Sequence, residues 1–233
     1  DITSITIPET VKTFDGNPFK YCSNLARFIS TYATSDGYGL VCDNEFIALA
    51  RNYRGEKYEI PYGVKSIGEN AFYGAAIKSV SIPNSVAKIG DAAFSGCKQL
   101  ETLELPDRLE ELGREVCVDC IALKSVKLPR NCSISEDFAG FVGCYNLESF
   151  SGENTSADGR CFVVNKRLYA FAPANLSEYT IPQGVNALAD RSFAKCDRVL
   201  KITIPSSVVS LGSGVFYNCS SLSAIYLEPN TPP

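Results

Sequence analysis

A chain of 233 residues with 45% hydrophobic and 21% charged residues has the composition of a folded protein, not of a disordered one. Its formal net charge of −4, with no run of Lys or Arg, argues against nucleic-acid binding, and no stretch reaches the roughly 18 consecutive apolar residues of a membrane span. Histidine is absent, which removes the commonest general base and, with it, Ser-His and Cys-His nucleophiles.

Taken in order, the chain is one unit written many times. Residues 2–25 show it through Ile5, Ile7, Pro8, Val11, Phe14, Phe19, Cys22 and Leu25. The register then breaks at Phe28 and resumes at Tyr58. Between them, TSDGYGLVCDNEFIALA places two apolar runs around Asp43-Asn44, which predicts a β-hairpin insert over about 29–57. Four turns follow, at 58–77, 77–100, 100–123 and 123–147, and the clearest copy is 80–100, VSIPNSVAKIGDAAFSGCKQL. A second break matches the first: Asp158-Gly159 aligns with Asp36-Gly37, and LYAFA at 168–172 with FIALA at 46–50, predicting a second hairpin insert over about 151–178 that turns at Asn165-Lys166. Two further turns, 179–199 and 199–222, precede a stub at 225–227.

The spacing is regular. Pro83, Pro106 and Pro129 lie 23 residues apart, as do Pro182 and Pro205, while Pro8 to Pro61 and Pro129 to Pro182 both span 53. A fixed period of this size predicts a solenoid in which each copy buries its apolar side against its neighbours. Within a unit, the alternating I-x-I-P element reads as a short strand ended by proline. The V-x-x-I-G step reads as a turn, with Gly68, Gly90, Gly113 and Gly212 taking conformations that other residues resist. A-F-x-x-C-x-x-L has helical spacing over about two turns, so a short helix or 3-10 turn is expected. The product is an α/β repeat with Phe72, Phe94, Phe193 and Phe216 stacked inside. Six of the ten cysteines, Cys22, Cys97, Cys120, Cys144, Cys196 and Cys219, occupy one slot of successive units, which reads as small buried thiols, not a disulfide framework.

These letters resemble the BspA-type leucine-rich repeat, carried by I-P, I-G, A-F-x-x-C and C-x-x-L at a 23-residue period over the whole chain. The D-G-x-x-x-V-x-x-x-L-x-A-x-A segment is similar to one in gut-bacterial members. Departures are local: Cys117 stands for Phe, Ala75 for Cys and Ala189 for Gly. The resemblance implies one right-handed solenoid domain over 1–233, of about eight turns, interrupted by the two hairpins. It further implies adhesion or protein binding at a bacterial cell surface, with matrix and surface proteins as partners, and supplies no residue motif for them. The chain opens inside a unit without an initiating Met or signal peptide and stops inside another, so a removed signal peptide and flanking sequence are expected.

For chemistry, Glu59 and Glu104 could form a carboxylate pair for glycoside hydrolysis, but they sit two units apart and read more simply as a solvated face. Asp36-Gly37 and Asp158-Gly159 lack the further carboxylates of a calcium loop and read as turns. No metal and no cofactor is expected. Two surfaces are candidates for binding. The exposed strand face carries Glu59, Glu104, Lys127 and Tyr226 among small polar residues. The hairpins carry Tyr32, Tyr38, Tyr53 and Arg54, then Arg160, Arg167 and Tyr169, whose rings either bind a ligand or roof the hairpin's own core. The expected function is non-catalytic recognition of an extracellular or host surface protein, or else a glycan, by a monomer. The alternative is a structural spacer within a larger surface protein.

Overall fold

The computed structural model describes residues 2–229; Asp1 and residues 230–233 lie outside them. The I-x-I elements form a ladder of ten short strands: Ser4–Thr6, Arg27–Ile29, Lys57–Glu59, Ser79–Ser81, Thr102–Glu104, Ser125–Lys127, Ser149–Ser151, Glu178–Thr180, Lys201–Ile204 and Ala224–Leu227. Their pairing is parallel and falls into four hydrogen-bonded blocks. Alternation decides the facing: Tyr58, Val80, Leu103, Val126, Phe150 and Tyr179 point inward between two outward neighbours. The solenoid therefore has about ten coils, not the eight expected.

The V-x-x-I-G step is a second ladder and not merely a turn. Ser66–Ile67, Lys88–Ile89, Glu111–Leu112 and Ser133–Ile134 pair in parallel, as do Ala187–Leu188 and Ser210–Leu211. Its glycines serve close approach. Gly68, Gly90, Gly113 and Gly212 are absent from the residues with positive φ, but a Cβ on Gly90 would lie 2.7 Å from the Glu69 nitrogen, and one on Gly113 2.5 Å from the Asp91 nitrogen.

The predicted helical portion contains no helix among the described residues. Two positions four residues apart take positive φ in successive coils: Asn70 and Gly74, Ala92 and Gly96, Glu115 and Asp119, Arg191 and Lys195. Left-handed residues break a right-handed helix. The freed amides bond to the next coil instead, Ala92 N donating to Arg114 O, Phe94 N to Val116 O and Gly96 N to Val118 O, each at 2.8 Å.

The two predicted inserts do not interrupt the stack. Gly39–Cys42 pairs antiparallel with Glu45–Leu49 across Asp43-Asn44, both at positive φ, and Cys161–Val164 with Arg167–Phe171 across Asn165-Lys166. Each return strand then joins the second ladder in parallel, Glu45 opposite Ser66 and Arg167 opposite Ala187. Each Asp-Gly loop lies against the preceding first-ladder strand: Phe28 N donates to Gly37 O at 2.9 Å and Phe150 N to Gly159 O at 2.7 Å. Every long spacing is thus a coil that carries a hairpin.

The core is a column of rings. Phe46 stacks on Phe72 at 4.8 Å between centroids and Phe72 on Phe94 at 5.0 Å; Phe171 stacks on Phe193 at 4.7 Å. The hairpins thereby extend the column by one ring each, and such pairs add about 0.5–1.5 kcal/mol beyond their burial. Cys117 takes the ring's place in the next coil, where Val116 and Cys120 are also fully buried.

The cysteine slot has a specific task. The thiols of Cys97, Cys120, Cys144 and Cys219 donate to the carbonyls of Phe72, Phe94, Cys117 and Phe193 in the preceding coil, at 3.0–3.1 Å. All ten cysteines are free, and burial pushes the thiols of Cys97, Cys117 and Cys144 well above their ordinary range. Seven are buried and three, Cys22, Cys132 and Cys219, are partly exposed.

Two predictions follow from this packing. Gly113→Ala, which forces backbone apart between coils, is expected to cost about 1–3 kcal/mol in denaturant unfolding, as overpacking does; an unchanged midpoint contradicts the close-approach account. With an aromatic disulfide reagent, the folded protein should titrate no more than Cys22, Cys132 and Cys219, and the unfolded protein all ten thiols. A smaller total would reveal a disulfide.

Candidate functional site

The residues singled out in the sequence divide by what already holds them. The hydroxyl of Tyr32 donates to Val11 O at 2.7 Å, and its ring meets Phe14 edge-on. Tyr38, Tyr53 and Tyr58 form an edge-to-face chain at 5.0 and 5.3 Å, and the Tyr53 hydroxyl donates to Lys57 O at 2.6 Å. Tyr169 packs on Phe162 and Phe138, with the Arg167 guanidinium 5.9 Å from its ring. Arg160 donates to the carbonyls of Ala172 and Ala174. These hairpin residues roof the core and tie loops to it. Arg54 is exposed and belongs to no such contact among the described residues.

The first-ladder face brings others together. Glu59, Ser81, Glu104, Lys127 and Ser151 occupy equivalent positions on successive strands, with Glu59 opposite Ser81 and Lys127 opposite both Glu104 and Ser151. Lys57 pairs with Glu59 at 2.8 Å and Lys127 with Asp107 at 3.1 Å. Lys57, Glu104 and Lys127 line a shallow groove of about 310 Å³. Tyr226, 53% exposed, stands opposite Thr203, away from that groove.

A larger groove, about 780 Å³, follows the second ladder, where the sequence raised no candidates. Its floor is the backbone of Gly68, Gly90 and Gly113, bare because a side chain there would strike the neighbouring coil. Its walls are charged residues at or near the second-ladder step of successive coils. Lys88 pairs with Glu111 at 2.8 Å. Arg114 spans three coils, donating to Asp91 through Nε at 3.0 Å and Nη2 at 2.8 Å, and to Asp137 through Nη1 at 2.9 Å. Those hydrogen bonds hold the Asp137 carboxyl below its ordinary range. Asp15, Glu45, Glu69, Asp91, Glu111 and Asp137 face only Lys88 and Arg114, so the groove is acidic. The signal for it was legible: charges recur every 22 or 23 residues, at 69, 91, 114 and 137, the first three directly after a glycine. Among the described residues no group of three or more Cys, Asp or Glu is arranged to hold a metal ion, and no helix is long and apolar enough to cross a membrane.

The BspA-type leucine-rich repeat model matches residues 1–35, 51–168 and 166–232, in six copies. The chain belongs to the BspA-type leucine-rich repeat family. A leucine-rich repeat protein from Bacteroides ovatus is 32% identical with a TM-score of 0.66, over 97% of this chain and 55% of its own. One from Eubacterium ventriosum is 20% identical with a TM-score of 0.60, over 94% and 59%. A leucine rich cell surface protein from Faecalibacterium prausnitzii is 22% identical with a TM-score of 0.51, over 97% and 60%. The chain spans somewhat more than half the length of these proteins. Among curated proteins, none matches it. The leucine-rich repeat solenoid is in general a non-enzymatic fold.

Glu45 supplies a pH test of the groove. Burial raises its carboxyl above the ordinary range, with Lys88 acting in the opposite sense. A carboxyl that holds its proton more tightly when folded costs stability as pH rises through the folded value. Glu45→Gln is therefore expected to raise the melting temperature at pH 7 and leave it unchanged near pH 3, where both states are protonated; an equal shift at both pH values contradicts this assignment.

Proposed function

We propose that this chain is a non-catalytic recognition module at a bacterial cell surface, and that it binds a protein ligand in the groove of the second ladder. The observation that carries the reading is the groove itself: about 780 Å³, floored by glycine backbone and walled by six carboxylates against two cations. A partner presenting Lys or Arg gains from this field without new buried charge, and the field steers its approach. Glycine flooring lets an extended segment approach the backbone closely. The surface location draws support from family membership and from the description of the F. prausnitzii protein. The absence of histidine supports the non-catalytic assignment.

The strand-face groove around Lys57, Glu104 and Lys127 is a second proposed surface, favoured by its continuity across four coils. Hairpin rings contribute less, because packing already engages Tyr32, Tyr38, Tyr53 and Tyr169.

Surface plasmon resonance against an array of matrix proteins and glycans tests the proposal. The expected ligand is a protein whose affinity falls with salt, and Glu69→Lys with Glu111→Lys should weaken it by about tenfold or more while the melting temperature holds. Binding untouched by these changes contradicts the groove assignment. No ligand anywhere on the array favours a spacer.

A further inference from the structure

On the third side of the solenoid, away from both ladders, four side chains from three coils meet at the surface. Tyr21 comes from the first coil, Arg51 follows the first hairpin, and Tyr73 belongs to the coil after it. The Tyr21 ring is 75% exposed and meets Tyr73 edge-on, 5.7 Å between centroids. The Lys20 ammonium lies 5.2 Å from the Tyr21 centroid and 5.9 Å from that of Tyr73. The Arg51 guanidinium lies 5.8 Å from the Tyr73 ring.

Arg51 is held in place. Its Nη1 donates to Lys20 O at 3.1 Å and to Tyr73 O at 2.9 Å, so it joins the first coil to the third across the hairpin coil. Its other nitrogens make no hydrogen bond among the described residues. Elsewhere charges commonly pair from coil to coil: Lys78 with Glu56, Lys124 with Glu101, Lys201 with Glu178. Here, among the described residues, neither Lys20 nor Arg51 has a carboxylate within 4 Å. Two cations without a carboxylate partner among the described residues thus sit beside the exposed Tyr21 ring and the half-buried Tyr73 ring, on a chain of net charge −4.

We propose that Lys20, Tyr21, Arg51 and Tyr73 form a binding platform for an anionic saccharide. The weakly positive C–H face of a sugar ring packs against the negative face of a tyrosine ring. A carboxylate or sulfate on that sugar takes the Lys20 ammonium and the free Arg51 donors, as charge-assisted hydrogen bonds. Cations already poised over the rings lose little freedom on binding. A peptide fits less well: the cluster stands on turns with no strand to accept an added one, and none of its residues lines the grooves described above. The platform shares no residue with the acidic groove, so the two assignments stand or fall separately.

Calorimetric titration with tetragalacturonate, a heparin tetrasaccharide and neutral maltotetraose tests this. At least one anionic probe should bind about tenfold or more tighter than maltotetraose. Tyr21→Ala should lose about tenfold in affinity with its melting temperature unchanged, since the ring is exposed, and Tyr21→Phe, which keeps the ring, should bind as the wild type does. Lys20→Ala should reduce binding of the anionic probe alone. No binding of either anionic probe, equal binding of maltotetraose, or wild-type affinity in Tyr21→Ala each overturns the proposal.

Discussion

Backbone pairing between coils 22 to 24 residues apart is the constraint on which this molecule depends. On the third side, Phe94 N reaches Val116 O and Cys117 N reaches Gly140 O, bonds that a helix would instead close within its own turn. To aim those amides outward, residues such as Ala92, Glu115 and Arg191 accept positive φ, at a cost of order 1 kcal/mol each for non-glycine side chains. The pairing offsets it, because buried amides left without partners cost more. The thiol-to-carbonyl bonds from Cys97, Cys120 and Cys144 add a side-chain thread to the same seam.

The same constraint shapes the surfaces. At Gly90 and Gly113 a side chain would strike the backbone of the neighbouring coil, so glycine is required there, and the groove is the external trace of that requirement. Side chains beside the glycines repeat at the coil spacing, which lines charges into rows and lets Arg114 reach Asp91 and Asp137 at once. Where a hairpin coil departs from the rule, other groups close the seam: Arg51 bonds carbonyls on both sides at the first junction, and Lys195 reaches Asp119, 76 residues away, near the second.

Much of this was legible in the residues. The proline spacing set the register, and the alternation around Tyr58, Val80 and Val126 gave the inward face. The third side was misread as helical because A-F-x-x-C-x-x-L has the spacing of a helix, while nothing in Ala92, Glu115 or Arg191 announces a left-handed conformation. The hairpins were misread as interruptions because local sequence shows their turns but not the parallel partner their return strands meet. The glycines were seen, but for torsional freedom and not for contact. The hairpin rings Tyr32, Tyr38, Tyr53 and Tyr169 read as binding residues in the sequence, yet they are half-buried and packed against the core, and the groove and the Tyr21–Tyr73 platform depend on neighbours that only stacking brings together.

Hydrogen-bond scalar couplings measured by NMR test the coil-to-coil account most directly. A coupling from the Phe94 amide nitrogen to the Val116 carbonyl carbon is predicted, with its equivalent from Ala92 to Arg114. A coupling from Phe94 to the carbonyl of Gly90, four residues back in its own coil, would mean a helix there and contradict it.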